Sequence, residues 1–424
     1  MNKGNRVFVT GLGVVSSLGL EWKAFWAALL AGRSGIRPWA PEHCESFPVK
    51  FASPVDKEAF AAAFAGEGLF DEPMEHRTAF GLAAARSAIR DAGFAPGGEA
   101  LRHAAVVVGS GTPERDPADM LLALDAQGRA IDRLAERRAA LNPRLRQNND
   151  ALAEMIGRQN GCHGPSLNVS MACAGAAQAI GLGLRMIRRG EADLVVAGGA
   201  DSVLNMATMA GLLMLGAPSL AENLGDRLST PFDRLRSGFV AAEGAGVVVL
   251  ESEASALARG AVPYAELAGF GCSADAYRVT APHPGGLGAA AAMRRALADG
   301  GVEPAQVGSI NAHGTSTPLN DAIETAAIKA VFADGEHYRR LAVSANKSQF
   351  GHLIAASGGP EFIATALSVR DGLIPGTLNL ANPDPVCDLD YVAEGTRAQA
   401  VEYALSNSFG FGGFNVSLLV KRHA

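Results

Sequence analysis

The sequence has few cysteines, and they form no recognisable motif. Five occur in 424 residues, and no two of them are spaced as a Cys-x-x-Cys pair. We therefore expect neither a zinc site nor a disulfide framework, and a reducing cytoplasm is the simpler prediction for the location of the protein. The cysteines are Cys44, Cys162, Cys173, Cys272 and Cys387.

An excess of basic charge and a long apolar segment are also missing. The formal net charge is −6, which offers no electrostatic footprint for nucleic acid. The most apolar region, residues 194–220, is interrupted by Asp201, Asn205 and Pro218, so it is too broken to span a bilayer. The first residues lead directly into a strand-like segment without the apolar stretch of a signal peptide. We expect a soluble cytoplasmic protein without nucleic-acid or membrane partners.

Apolar residues and glycine are abundant. Hydrophobic residues make up 48% and charged residues 19% of the chain, which is typical of a well-packed globular protein. The 50 glycines cluster beside predicted strands, which indicates close backbone packing and tight turns. The length suffices for two domains or for one large duplicated domain.

The order of the predicted elements favours duplication. A helix that ends at Gly93 has a counterpart that ends at Gly301, and the strand at 104–111 matches 309–314. The strand-like residues 168–170 similarly match 342–344. Each half alternates strands and helices, as in a sheet buried on both faces. We predict an α/β fold with an N-terminal half at 1–258 and a C-terminal half at 259–424. A helical excursion at 113–159 interrupts the first half.

A single stretch, residues 166–201, predicts a strand, a sharp turn, a helix and a second strand, with Cys173 at the turn. Small residues follow the cysteine, and the helix stops at Gly190. A thiol at a helix N-terminus lies where partial positive charge favours the thiolate, which suits a nucleophile. The alternative is an inert packed cysteine, since unpaired cysteines are among the most buried residues. This stretch alone does not decide between the two.

Two further segments could bring reactive side chains to the same place. One, residues 311–324, ends a predicted strand and continues through a hydroxyl-rich loop into a helix. The other, residues 346–352, lies between a predicted strand and a helix. Loops at the carboxyl ends of strands converge in a doubly wound fold, so we expect both segments to meet the cysteine turn. Their candidate residues are His313, Thr315, Thr317, Glu324, Lys347 and His352.

Four motifs together resemble the β-ketoacyl-[acyl carrier protein] synthases, in particular the elongating, synthase II type of the thiolase superfamily. They are the cysteine turn, His-Gly-Thr-Ser-Thr-Pro at 313–318, Lys-Ser-x-x-Gly-His at 347–352 and Asn-Ser-Phe-Gly-Phe-Gly-Gly at 407–413. The motifs occur in order at compatible spacings, and the resemblance covers nearly the whole chain. It implies a thiolase-like fold, a duplicated architecture with five layers, α-β-α-β-α.

The resemblance implies a decarboxylative Claisen condensation that needs no bound cofactor or metal. Cys173 would accept an acyl group as a thioester from the phosphopantetheine of an acyl carrier protein. His313 and His352 would donate through Nε2 to the enolate that malonyl-carrier leaves on losing carbon dioxide. The backbone N–H groups of Cys173 and Phe411 would form the oxyanion hole for acyl transfer.

The resemblance also implies supporting roles. Lys347 and Glu324 would form a buried ion pair that orients His352. Hydroxyl groups of Thr315 and Thr317 would hold the phosphopantetheine arm, and Phe411, flanked by glycines, would gate the acyl pocket. Substrate binding would further involve Phe409 and Asp275, the latter in a mobile loop.

The chain departs from the family pattern at several positions, and substrate and partner choice stay open there. The segment 113–159 matches poorly, and unusual residues occur at Ala174, Ala176, Ser237, Ala242, Arg278 and Phe414. An enzyme of fatty-acid or type II polyketide synthesis is the leading hypothesis. A specialised polyketide or polyene synthase with a chain-length-factor partner is an alternative, favoured by the segment 113–159.

A non-catalytic partner subunit is disfavoured, because such subunits usually lose the nucleophile, whereas this chain retains Cys173, His313 and His352. We expect a dimer, either a homodimer or a heterodimer with such a partner.

Overall fold

A computed structural model describes residues 6–41, 44–67, 74–111, 149–333, 338 and 340–423. In these residues the main sheet has ten strands, accompanied by two small two-stranded sheets. The ten strands are β1 Val7–Val15, β2 Ala105–Ser110, β3 Ser166–Val169, β4 Leu194–Ser202, β5 Glu243–Ser252, β6 Ala265–Ala274, β7 Val307–Asn311, β8 Ala342–Ser344, β9 Tyr403–Gly410 and β10 Phe414–Lys421.

Helices connect these strands and cover the sheet. They are α1 Trp22–Leu30, α2 Lys57–Ala63, α3 His76–Asp91, α4 Ala151–Asn160, α5 Gly175–Arg188, α6 Met206–Met214, α7 Glu253–Ala258, α8 Leu287–Gly300, α9 Pro318–Phe332, α10 Lys347–Phe350 and α11 Gly358–Asp371. No helix in the described part of the chain is long and apolar enough to cross a membrane.

The two halves of the sheet repeat one topology. The first five strands lie in the order β3-β2-β4-β5-β1, and the last five in the order β8-β7-β9-β10-β6. In each half the first three strands of that order are parallel, and the last two run antiparallel to their neighbours. The halves are joined where β1 pairs with β6 through Phe8↔Glu266 and Val9↔Ala265. The predicted duplication is confirmed, and the boundary predicted at 258/259 falls between α7 and β6.

Helices form the other three layers. Helices α5 and α11 lie between the two halves of the sheet, where apolar residues of both halves join in one core. Helices α3 and α4 cover the outer face of the first half, and α8 and α9 cover the outer face of the second. The layers are therefore α-β-α-β-α, as predicted. Of the predicted excursion at 113–159, residues up to 148 lie outside the described residues, and α4 forms most of the remainder.

Candidate active site

The cysteine turn connects β3 to α5 through a short 3-10 helix, Ala172–Ala174. Ala172, directly before the cysteine, has φ +43°, a left-handed conformation that costs free energy for any residue but glycine. The turn packs tightly on the sheet. A Cβ atom at Gly109 of β2 would lie only 2.1 Å from the carbonyl carbon of Gly175, so no larger residue fits there. Small residues around Cys173 are therefore needed to place the thiol at the end of the strand.

The thiol is buried, and its electrostatics differ from the prediction. Burial raises the pKa of Cys173 to about 11, although the charge of Lys347 and the N–H groups of Phe411 and of Cys173 itself lower it. The expectation that the helix N-terminus favours a thiolate is wrong for the resting site, because desolvation outweighs the local positive potential. Both N–H groups that the resemblance assigns to an oxyanion hole nevertheless lie beside the sulfur.

Two imidazoles stand opposite the thiol. His313 follows β7 and His352 follows α10, so both come from strand-end loops of the second half. One nitrogen of each ring and the Cys173 Sγ lie within 4.8 Å of one another, and all three side chains are buried. The ring centroids are 5.4 Å apart and the rings are nearly perpendicular. The predicted convergence of the three segments is present in the structure.

Hydrogen bonds define which nitrogen of each ring carries the proton. The Nζ of Lys347 lies 3.2 Å from the Nδ1 of His313, and the backbone N–H of Ile354 donates to the Nδ1 of His352 at 3.1 Å. Burial and the charge of Lys347 hold the pKa of both imidazoles well below its usual value, so the rings are neutral. A neutral ring that accepts at Nδ1 has its proton on Nε2. The two rings are thus preset as Nε2–H donors.

The buried lysine has a different carboxylate partner from the predicted one. Lys347 pairs with Glu361 of α11, with 2.5 Å between Nζ and Oε1, and both side chains are 1% exposed. It contacts the ring of His313 rather than that of His352. The ion pair predicted with Glu324 is therefore a wrong assignment. Glu361 lies in α11, beyond the Lys-Ser-x-x-Gly-His motif. The ion pair becomes evident only from the position of α11 between the two halves of the sheet.

Glu324 has another task in the same site. Its carboxylate accepts the backbone N–H groups of His313 and Gly314, each at 2.9 Å, and so fixes the loop that carries the imidazole. Burial raises the pKa of Glu324 to about 7, and these two N–H donors oppose the shift.

Asp201, at the end of β4, is a site residue that the sequence did not identify as functional. Its Oδ2 accepts the N–H of Ala355 at 3.0 Å, in the short turn directly after His352. Ile354 in that turn has φ +48°, so the carboxylate holds a strained backbone beside the imidazole. Burial raises the pKa of Asp201 to about 7. The only signal in the sequence was a charged residue that closes an apolar strand.

A cavity of about 400 Å³ opens onto the three reactive groups. Most predicted substrate-binding residues line it: Thr315, Thr317, Phe409 and Phe411. Asp275 does not belong to the described lining, although residues 280–282 of its loop do. Its carboxylate accepts the N–H of His283 and the side-chain amide of Asn415, each at 3.0 Å, and so joins this loop to the glycine-rich segment.

Phe411 begins a short 3-10 turn, Phe411–Gly413, at the wall of the cavity. Gly412 and Gly413 have φ of +83° and +75°, so a residue with a Cβ would be strained at either position. The turn needs these glycines to present the Phe411 N–H to the cysteine sulfur.

Family models match both halves of the chain. The model described as beta-ketoacyl synthase, N-terminal domain, matches residues 4–256, and the corresponding C-terminal domain matches residues 264–381. The chain belongs to the beta-ketoacyl synthase family. A 3-oxoacyl-[acyl-carrier-protein] synthase 2 of Synechocystis is 38% identical over 418 residues, which are 99% of this chain and 98% of the relative.

Solved structures of synthases have the same fold over the whole chain. The ishigamide ketosynthase/chain length factor is 34% identical with a TM-score of 0.84. A type II polyketide synthase acyl-carrier protein in complex with its ketosynthase bound to the hexaketide is 30% identical with a TM-score of 0.86. Each comparison covers 99% of this chain and 100% of the other.

Four of the six unusual residues lie around the site rather than at its reactive atoms. Arg278 is exposed and its guanidinium lies 5.4 Å from the centre of the Tyr277 ring. Phe414 starts β10, and Ala242 is buried with its N–H donated to the carbonyl of His352. Ser237 pairs with the hydroxyl of Ser219 at 2.6 Å. Of these four residues, none is part of the described cavity lining.

Proposed function

We propose that this chain condenses an acyl group held on Cys173 with malonyl-[acyl carrier protein], releasing carbon dioxide and β-ketoacyl-carrier protein. The product would serve fatty-acid or type II polyketide synthesis. The observation that carries the proposal is the cluster of a buried thiol and two neutral imidazoles, each imidazole preset by a donor at Nδ1.

The first half-reaction transfers the acyl group. The sulfur of Cys173 attacks the thioester carbonyl of acyl-carrier, and the bond to the phosphopantetheine sulfur breaks. The N–H groups of Cys173 and Phe411 stabilise the oxyanion between these events. Because the resting group is a thiol, its proton leaves with the phosphopantetheine sulfur, and no net charge remains in the buried site.

The second half-reaction forms the carbon–carbon bond. Malonyl-carrier loses carbon dioxide, and the electron pair of the broken bond becomes an enolate whose oxygen accepts from the Nε2–H groups of His313 and His352. The enolate carbon attacks the acyl-cysteine carbonyl and expels the sulfur of Cys173. The sulfur then takes up one proton, which its raised pKa favours.

Thr315 and Thr317 are proposed to bind the phosphopantetheine arm, and Phe411 to gate the acyl pocket. The hydroxyl oxygens of the two threonines are 2.9 Å apart and both residues line the cavity. The cavity wall contains apolar groups, Leu212 and Phe239 among them, against which an acyl chain can pack.

Incubation with a panel of acyl-carrier proteins, followed by malonyl-carrier, tests the proposed reaction. Intact-mass spectrometry should show one acyl group added to the protein and then discharged as β-ketoacyl-carrier. A protein that is never acylated by any carrier, or acylated but not discharged, would contradict the condensation.

We further propose that the chain acts as a dimer with an acyl carrier protein as its substrate partner. The edge strand β3 pairs only with β2 among the described strands, and Leu167 on it is 46% exposed. An unpaired edge of this kind is suited to association with a second subunit. The similar ketosynthase/chain length factor supports a heterodimer as the alternative to a homodimer. Native mass spectrometry of the purified chain distinguishes them, because a homodimer forms without a second protein.

A further inference from the structure

The loop that carries Thr315 and Thr317 is held by a segment of the other half of the chain. Residues 230–238 lie between α6 and β5 in the first half, and they hydrogen-bond to the loop at successive positions. The N–H of Thr230 donates to the Ser316 Oγ and the N–H of Gly238 to the Ser316 carbonyl, each at 3.0 Å. Ser316 has φ +65°, so these contacts hold a residue in a strained conformation.

The side chain of Arg236 hydrogen-bonds to the next two residues of the loop. Its Nε donates to the carbonyl of Thr317 at 3.1 Å, and its Nη2 donates to the carbonyl of Pro318 at 3.0 Å. The side chain is 6% exposed, and its charge is balanced by Asp384 at 2.6 Å. A planar guanidinium fixes two acceptors in a set direction, which a lysine cannot reproduce.

The backbone of this loop determines where the threonine hydroxyls point. Thr317 is the N-cap of α9, and its Oγ1 accepts the N–H of Asn320. That oxygen is also paired with the Thr315 Oγ1, so the two hydroxyls form one hydrogen-bonded chain, and both residues line the cavity. A shift of the carbonyls of residues 317 and 318 would move both hydroxyls together.

We propose that Arg236 is a positioning residue for the phosphopantetheine arm of the carrier-bound substrate. This inference rests on the proposed function, in which Thr315 and Thr317 hold that arm. Arg236 itself does not touch the arm, but it fixes the carbonyls from which the two hydroxyls are oriented. Its loss should therefore weaken reactions of substrates that carry the arm and leave the thiol reactive toward small reagents.

The test compares two reactions of Cys173 in Arg236→Gln and Arg236→Lys. Acylation by acyl-carrier requires the arm, whereas alkylation by iodoacetamide does not. We expect KM for acyl-carrier to rise about tenfold in both variants, as for one or two misplaced hydrogen bonds, with alkylation within about twofold of wild type. Arg234→Gln is the matched control, because Arg234 is exposed two residues away.

A double-mutant cycle with Thr317→Val locates the effect. If Arg236 acts through the hydroxyl chain, the rise in KM for the double variant is smaller than the product of the single effects. An unchanged KM in Arg236→Gln, multiplicative effects in the cycle, or an equal loss of acylation and alkylation would each overturn the positioning role. Failure of the proposed function shows separately, as a wild-type protein that iodoacetamide alkylates and no acyl-carrier acylates.

Discussion

The two halves of the molecule share a strand order but contribute unlike chemistry to one site. The loop after β3 presents the thiol among small uncharged residues, whereas the corresponding loop after β8 carries Lys347 and His352. The ion pair of Lys347 with Glu361 and the carboxylate of Glu324 also belong to the second half. The repeated fold thus determines the place where the loops of the two halves meet. The side chains of each loop determine the chemistry that the loop contributes.

This difference has an electrostatic consequence. Burial raises the pKa of the thiol, which the first half carries, and among side chains it is Lys347 of the second half that lowers this pKa most. The nucleophile is supplied by one half and tuned by the other. The following changes separate these contributions.

Removing the contribution of the first half should have the largest effect. Cys173→Ala should abolish acyl-enzyme formation and condensation, because no other group in the cluster can carry the thioester. Intact-mass spectrometry after exposure to acyl-carrier measures the adduct. Cys44→Ala is the control and should be acylated normally. An acyl adduct retained in Cys173→Ala would show that the nucleophile lies elsewhere.

Removing one imidazole of the second half should be the next most severe change. His313→Ala should lower decarboxylation of malonyl-carrier about 10²- to 10³-fold, the usual loss for one donor to a developing oxyanion. Acylation of Cys173 should be far less affected, since its oxyanion donors are backbone groups. Carbon dioxide release measures the effect, with exposed His103→Ala as the control. Wild-type carbon dioxide release from His313→Ala would refute the assigned role.

Breaking the buried ion pair should destabilise the second half. Lys347→Met leaves Glu361 without its cation and should cost about 3–5 kcal/mol in the free energy of unfolding. Combination with Glu361→Gln should restore part of that loss. Urea unfolding of both single variants and the double variant gives the coupling energy. If Glu324→Gln, and not Glu361→Gln, restored the stability of Lys347→Met, the ion-pair partner of Lys347 would be Glu324, as first predicted from the sequence.

The pH dependence of thiol reactivity sharpens the electrostatic comparison. With a thiol pKa of about 11, the thiolate fraction of Cys173 grows with pH throughout the neutral and mildly alkaline range. The rate of alkylation by iodoacetamide should therefore rise about tenfold per pH unit from pH 6.5 to 9.5. In Lys347→Met the rate should be lower at every pH, because the lysine lowers this pKa. A rate of alkylation that levels off near pH 7 would show that the helix N-terminus lowers the pKa of Cys173 by more than burial raises it.

The smallest effect is expected at the turn Phe411–Gly413, which belongs to the second half and lies beside the thiol of the first half. Phe411→Ala keeps the backbone N–H beside the sulfur and removes only the ring from the cavity wall. If the ring gates the pocket, acyl loading or condensation should slow about tenfold or less. Stopped-flow measurement of both steps tests this, and unchanged rates in both would leave Phe411 with a structural role alone.

The sequence allowed the reactive groups to be predicted because their signals are local. Cys173 and His313 each follow a short apolar strand, and His352 follows β8 and the short helix α10. All three lie in turns rich in small residues, so topology brings them together. The duplication could also be predicted, from matching helices and strands in the two halves.

What the sequence could not provide depends on three-dimensional packing. Glu361 replaces Glu324 as partner of Lys347 because α11 lies between the sheets, a position that no spacing in the chain indicates. The pKa of Cys173 rises because neighbours from several elements exclude water from it. Asp201 and Arg236 hydrogen-bond to residues of the other half, Ala355 and Thr317, so their contacts cannot be read from the sequence of either half alone.

The helices of the middle layer restrict how such a chain can be recombined. Since α5 and α11 bury apolar side chains against both halves of the sheet, neither half has a complete core of its own. A chimera made by exchanging one half with that of a relative would join two helix surfaces that had not been selected to fit. The two halves are therefore not interchangeable parts, and transplanting substrate preference should begin with the loops around the cavity.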